Sequence, residues 1–255
     1  MMNGNGHVSQ EGVSRREMIM GVSRVAAGAA ILSGGAAKLA APAATSLAEP
    51  LTAWGYRKLD PARTAALAYE NWYKNYCCYA VASSIIDQLR EQIGGPYNNL
   101  PVEGFVFGHG GTVGWGTLCG TLMGAGLAAS FAAGKEGENI LNDVIAWYGD
   151  TQLPIFTPVN ARAAIHQVNA SGSPLCHVSV GKWMKKEGVS LASPERKDRC
   201  ARVAADVAFH TVTLLNQWAD GEFRMQHGLS SSENGATSRH NCLAYHGDNV
   251  PIPNI

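Results

Sequence analysis

Residues 62–93 run without a single glycine or proline, between Asp60-Pro61 on one side and Gly94-Gly95-Pro96 on the other. Asp followed by Pro is a helix start. The carboxylate accepts free N–H groups of the first turn, and proline fills a position whose N–H needs no partner. Val81, Ile85, Ile86, Leu89 and Ile93 recur at helical spacing, which predicts one long helix with a buried face. Ser173-Pro174 and Ser193-Pro194-Glu195 repeat the start signal. They predict helices running to about Lys186, stopped by Gly188, and to about Ala219. Residues 117–133, rich in small residues, and 136–148 are two further helices. No alternation of period two stands out, so strands are few. The expected fold is mostly α: a bundle-like helical domain carrying a glycine-rich loop and ending in an irregular tail.

That loop covers residues 94–116, with Gly104, Gly108, Gly110, Gly111, Gly114 and Gly116. So many glycines let backbone come close to something else. Residues 149–159, with Pro154 and Pro158, form a connector. From Gly221 the chain turns polar and ends Pro251-Ile252-Pro253-Asn254-Ile255.

The first residues form a targeting segment rather than part of the fold. Ser14-Arg15-Arg16-Glu17-Met18-Ile19-Met20 precedes an Ala- and Gly-rich stretch from Gly21 to Ala44. Small-residue cleavage sites follow at Ala41-Pro42-Ala43 and Ser46-Leu47-Ala48. This order of features predicts a twin-arginine signal peptide over residues 1–48. The protein is then periplasmic or extracytoplasmic, delivered folded by the Tat route, with its cofactor already inserted. The remaining domains are a cysteine-rich helical domain at 49–220 and the tail at 221–255. The mature region has no run of 18 apolar residues, so no transmembrane anchor remains after cleavage. Lys plus Arg and Asp plus Glu both total 20. The zero net charge gives no electrostatic reason to bind nucleic acid.

All six cysteines follow the signal: Cys77, Cys78, Cys119, Cys176, Cys200 and Cys242. On the helix assignments above, Cys77 and Cys78 sit mid-helix, while Cys119, Cys176 and Cys200 sit near helix starts. A helix N-terminus favours thiolate, which suits metal or cluster ligation. Neighbours on a regular helix point about 100° apart, so only one of Cys77 and Cys78 can aim at a shared centre. No C-x-x-C occurs, which excludes a zinc ribbon and a bacterial ferredoxin run. Structural disulfides in an oxidising compartment and buried inert thiols remain open alternatives. So does a thiol–disulfide redox pair without metal.

Cys119-Gly120-Thr121-Leu122-Met123-Gly124 resembles the C-G-A-x-x-G signature of the C-GCAxxG-C-C family of redox proteins, with Thr121 in place of the usual Ala. Cys77-Cys78-Tyr79-Ala80-Val81 upstream, and Cys176 and Cys200 downstream, complete the four-cysteine pattern. Cys176-His177-Val178-Ser179-Val180-Gly181-Lys182-Trp183 and Ser193-Pro194-Glu195-Arg196-Lys197 are similar to a branch of that family that combines c-type haem with an iron–sulfur centre. The resemblance spans roughly residues 70 to 215. It implies an electron-transfer protein that holds an iron–sulfur cluster, most simply 2Fe–2S, on Cys77 or Cys78, Cys119, Cys176 and Cys200. Backbone N–H groups of the glycine loop and of Gly120 would hydrogen-bond its sulfurs, with His177 in support. A redox partner protein and a homodimer are the expected associations. Members of that branch carry C-x-x-C-H near the C-terminus. Here the corresponding run is Cys242-Leu243-Ala244-Tyr245-His246. It keeps the first cysteine and the axial histidine and lacks the second thioether cysteine, so Cys242, His246 and the loop residue His109 form at most a haem remnant.

His166, His210, His227 and His240 carry no legible role. The six tryptophans read as core or dimer-interface residues. No hydrolase, P-loop or dinucleotide fingerprint is present. A disulfide-stabilised binding subunit of a larger Tat-exported complex is the third functional alternative.

Overall fold

The computed structural model describes residues 53–227. The signal segment at 1–48 and the haem-like run at 242–246 lie outside the described residues. Five α-helices in order make up the fold there: α1 Pro61–Ile93, α2 Gly120–Ala133, α3 Gly137–Asp150, α4 Cys176–Glu187 and α5 Pro194–Ala219. Short 3-10 turns occupy Gly95–Asn99, Val102–Gly108 and Gly134–Glu136. No strand forms among the described residues, where β pairing is limited to the isolated bridges Leu118 with Leu175 and Leu153 with Asn169. The expected mostly α fold is therefore the one adopted.

The caps read from the sequence are in place. The Asp60 carboxylate accepts the Ala62 and Arg63 N–H groups at 2.8 and 3.3 Å. The Ser193 hydroxyl accepts the Arg196 N–H at 3.1 Å, with Pro194 first in the helix. Gly188 closes α4 in the left-handed conformation. Two helices begin later than expected. Leu118 and Leu175 pair as an antiparallel bridge, so the residues around them are extended. This delays α2 to Gly120 and α4 to Cys176.

α1 lies along α5 and α2, and these three helices make the centre of the core. Their contact faces are alanine-rich: Ala68, Ala80 and Ala82 of α1, Ala125, Ala128 and Ala129 of α2, and Ala201, Ala204 and Ala208 of α5 are buried. Small side chains allow the axes to approach closely, and Ile85, Ile86, Leu89, Leu122 and Leu215 fill what remains.

The long first helix is not continuous, which corrects the sequence reading. Asn75 (φ −140°, ψ 29°) and Tyr76 (φ 63°, ψ −159°) leave helical space. A tyrosine at positive φ is strained by about 1–3 kcal/mol and persists only when its surroundings hold it. Asn71 Nδ2 donates to the Ser83 hydroxyl across the break at 2.8 Å, buried. The Trp72 ring sits edge-on to Tyr73 and Tyr76. Cys77 and Cys78 therefore open a second helical segment instead of lying mid-helix.

Candidate metal centre

Two local devices, and the placement of Cys200 on α5, bring four thiols together. The break at Tyr76 places Cys77 in the first turn of the second α1 segment. The bridge pairing aligns the next two: the Cys119 N–H donates to the Pro174 carbonyl at 2.9 Å, and the Cys176 N–H to the Thr117 carbonyl at 2.7 Å. Cys119 thus caps α2 beside the first residue of α4, and the two thiols hydrogen-bond each other. Cys200, in the second turn of α5, is close enough that its charge acts on both Cys77 and Cys176. A cavity of about 470 Å³ has Cys77, Cys176 and Cys200 in its wall, together with Trp72, Tyr76, His109 and His177. All five described cysteines are free thiols.

Cys78 stands apart. It is fully buried and turned toward Gly108 and Met123. Of the adjacent pair, Cys77 is the one that reaches the cavity wall. Among the described residues, no three His, Cys, Asp or Glu side chains close on one point as a single metal ion would require. Three of the thiols, those of Cys77, Cys176 and Cys200, border one cavity instead.

The glycines of C-G-x-x-x-G have a steric reason. A Cβ on Gly120 would lie 2.0 Å from the Gly108 carbonyl oxygen and 2.9 Å from Cys77 Cβ. One on Gly124 would lie 2.5 Å from the Cys78 carbonyl oxygen. A Cβ on Gly111 would lie 2.8 Å from Cys176 Cβ. The loop and the helices approach the cysteines so closely that only hydrogen fits. The N–H groups that reach sulfur are those of Gly110, toward Cys77, and Thr121, toward Cys119. His177 Nδ1 pairs with the Gly116 carbonyl at 2.8 Å, which ties the loop to α4. His109 stands on the cavity wall with its ring 5.5 Å from that of Tyr76.

The electrostatics follow from crowding thiols away from water. The hydrogen bond from Cys176 pulls the Cys119 thiol down to about 5 against the opposing effect of burial, helped by the Thr121 hydroxyl at 3.1 Å. Cys176, as the donor, is pushed far up by the same bond and by burial. Burial pushes Cys77 up as well, with the charges of Cys119 and Cys200 adding to it. The Trp72 indole N–H at 3.3 Å and the Gly110 N–H act in the opposite direction. Cys78 is pushed up to about 12 by burial, then by the Cys119 charge. The site thus holds one thiolate readily and resists further ones. A bound cation would reverse that balance by drawing off the remaining protons. An all-thiol donor set is also the soft ligand type that selects iron–sulfur clusters and zinc over hard cations.

The sequence reading missed four residues here. Arg199 is buried, 1% exposed, and donates from Nη2 to the Ser179 hydroxyl at 2.8 Å. It also hydrogen-bonds Cys200, and burial, which opposes its cationic form, is outweighed by its interactions with Tyr148, Cys200 and Cys119. The Tyr148 hydroxyl donates to the same Ser179 oxygen at 2.8 Å and touches Cys119. Trp72 is the fourth, through its bond to Cys77. The only hint of Arg199 in the sequence is its place next to Cys200.

The model of the family described as "Putative redox-active protein (C_GCAxxG_C_C)" matches residues 75–214. The chain is 36% identical over 238 residues to the split-Soret cytochrome c of Desulfovibrio desulfuricans, covering 86% of this chain and 85% of that protein. It is also similar to a solved structure of split-Soret cytochrome c from Desulfovibrio desulfuricans, described as holding a novel iron centre. There the TM-score is 0.66 and the identity 34%, over 73% of this chain and 82% of the other.

Proposed function

This chain belongs to the C_GCAxxG_C_C family of redox-active proteins, and from that premise we propose that it is an exported electron-transfer protein holding an iron–sulfur cluster on Cys77, Cys119, Cys176 and Cys200. One observation carries the reading: four thiols from four separate helices are gathered together, three of them in the wall of one cavity and the fourth, Cys119, against Cys176, as an all-sulfur donor set. The iron centre of the split-Soret relative supports it. Such a cluster supplies one-electron chemistry at a potential set by its charge, hydrogen bonds and exposure.

The chain's own residues do the rest. Trp72 and Gly110 donate to the Cys77 sulfur, and Thr121 donates to that of Cys119. Both sulfurs are thereby stabilised in their most negative state. The glycine loop seals the thiols from one side through its contacts with Cys176 and His177. Exposed Trp115, Val113 and Phe107 on that loop offer a contact face for a redox partner or a second copy. The Arg15-Arg16 segment supports delivery by the Tat route, and no described helix is long and apolar enough to cross a membrane.

The test is iron and acid-labile sulfide analysis after anaerobic purification. Wild-type protein and Cys78→Ser should carry iron, while Cys77→Ser and Cys119→Ser should lose most of it. Wild-type protein without iron would overturn the reading. Export is tested by replacing Arg15 and Arg16 with lysine, which should leave precursor in the cytoplasm. One specific observation favours a second reading, a metal-free thiol–disulfide protein: Cys119, held near pKa 5, is hydrogen-bonded to Cys176. A reversible Cys119–Cys176 bridge in iron-free wild-type protein, found by mass mapping, would select it.

A further inference from the structure

We propose that Arg199 is the fixed countercharge of the thiol site and the residue that raises its reduction potential; this rests on the iron reading above. A buried cation is costly unless something negative lies against it. Arg199 forms no ion pair with a carboxylate among the described residues. Its neighbour Asp206 senses its charge, yet both oxygens of that carboxylate accept N–H groups, from Ile155 at 2.9 Å and Phe156 at 2.7 Å. The groups in direct contact with the guanidinium are the Ser179 hydroxyl and the Cys200 sulfur, with Tyr148 and Cys119 beside them. No carboxylate is among these contacts, so the sulfur site is what the guanidinium is set against.

The Arg199 Nε is buried without a hydrogen-bond partner. Other arginines of the same helix behave differently: Arg202 pairs with Asp198 at 2.6 Å, and Arg196 lines the cavity. Arg199 does not line the cavity, so it does not face an entering molecule. It stands behind the sulfurs. Arginine stays charged under all ordinary conditions, so its effect does not switch with pH. Adding an electron makes the centre more negative by one charge, and a cation held against Cys200 favours that state. Net charge and hydrogen bonds to sulfur are the protein's levers on cluster potential.

The experiment compares wild type, Arg199→Lys and Arg199→Gln, each loaded anaerobically and assayed for iron. Each is then titrated between dithionite and ferricyanide through dye mediators. Every centre takes one electron from the titrant, and no bond is made or broken. Arg199→Gln should lower the equilibrium constant for reduction at least tenfold, about 59 mV for one electron. Arg199→Lys should stay closer to wild type. Loading retained in Arg199→Lys and lost in Arg199→Gln would also support the countercharge. Full iron in Arg199→Gln with an unmoved potential overturns this proposal alone. Loss of iron in both variants also overturns it, because the shape of the guanidinium and not its charge would then be what matters. Iron-free wild-type protein would overturn the cluster reading and this proposal with it.

Discussion

The indole N–H of Trp72 donates to the sulfur of Cys77 at 3.3 Å, from one side of the break in α1 to the other. A continuous helix has no use for the break, and the break is what turns Cys77 toward the cavity. Trp72→Phe keeps much of the ring packing and removes the donor. A buried hydrogen bond contributes about 1 kcal/mol net, so we expect a loss of that order in urea denaturation. The iron-loaded protein should also shift to lower potential, since one hydrogen bond to sulfur is gone. An unchanged potential would mean that this bond does not persist in the loaded state.

Gly120 is the tightest point of the site. Its Cβ position falls 2.0 Å from the Gly108 carbonyl oxygen, which is backbone and cannot swing aside. Gly120→Ala should therefore cost at least the 1–3 kcal/mol typical of overpacking and reduce iron loading. Gly181 lies within α4 with nothing within 4 Å of its Cβ position. Gly181→Ala should instead stabilise by about 0.5–1 kcal/mol, the usual helix-interior difference. Equal denaturation midpoints for the two variants would refute the close-approach argument.

Cap chemistry made much of the fold legible. The start of α5 at Pro194 follows from Ser193-Pro194 alone, because that signal is local. The break in α1 was hidden because no glycine or proline marks it. Tyr76 is held at positive φ by side chains distant in sequence, His109 among them. The same break decides between Cys77 and Cys78, so that choice was hidden too. Arg199 was unreadable for another reason. Glu195-Arg196-Lys197-Asp198-Arg199 looks like a solvated helical turn. Packing against α1 turns Asp198 and Arg199 inward, where Asp198 accepts from Tyr69 at 2.5 Å and Tyr73 at 2.9 Å. Only the tertiary fold carries that information.

The C-terminal run Cys242-Leu243-Ala244-Tyr245-His246 supports a prediction from sequence. Two thioethers hold a c-type haem, and here Tyr245 replaces the second cysteine. Tat delivers folded chains, whereas c-haem is attached to unfolded ones outside the cytoplasm. The isolated protein is expected to carry no covalent haem, by pyridine haemochrome spectrum and intact mass. A mass increase of one haem, abolished by Cys242→Ala, would show a working single-thioether site. Tyr245→Cys should then strengthen attachment.

His210 gives the protein an acid-sensitive point away from the thiols. Its ring stacks on Trp147 at 4.1 Å, and its Nε2 lies 3.6 Å from Asp143 Oδ1, too far for a hydrogen bond. Burial holds its pKa down at about 4, with Asp143 acting in the opposite direction. In the unfolded chain the imidazole takes up its proton near pH 6.5. Between those values the unfolded state binds the extra proton, so stability present at pH 7 is lost as pH falls from about 6.5 toward 4. Asp206 works the other way: burial raises its pKa to about 6, so its folded form gains relative stability as pH falls through that value. Comparing wild type with His210→Gln cancels the Asp206 contribution. Between pH 7 and pH 5 the wild type should lose on the order of 2 kcal/mol more than the variant. Urea denaturation of both proteins across that range measures it, and parallel pH curves would remove His210 as the cause.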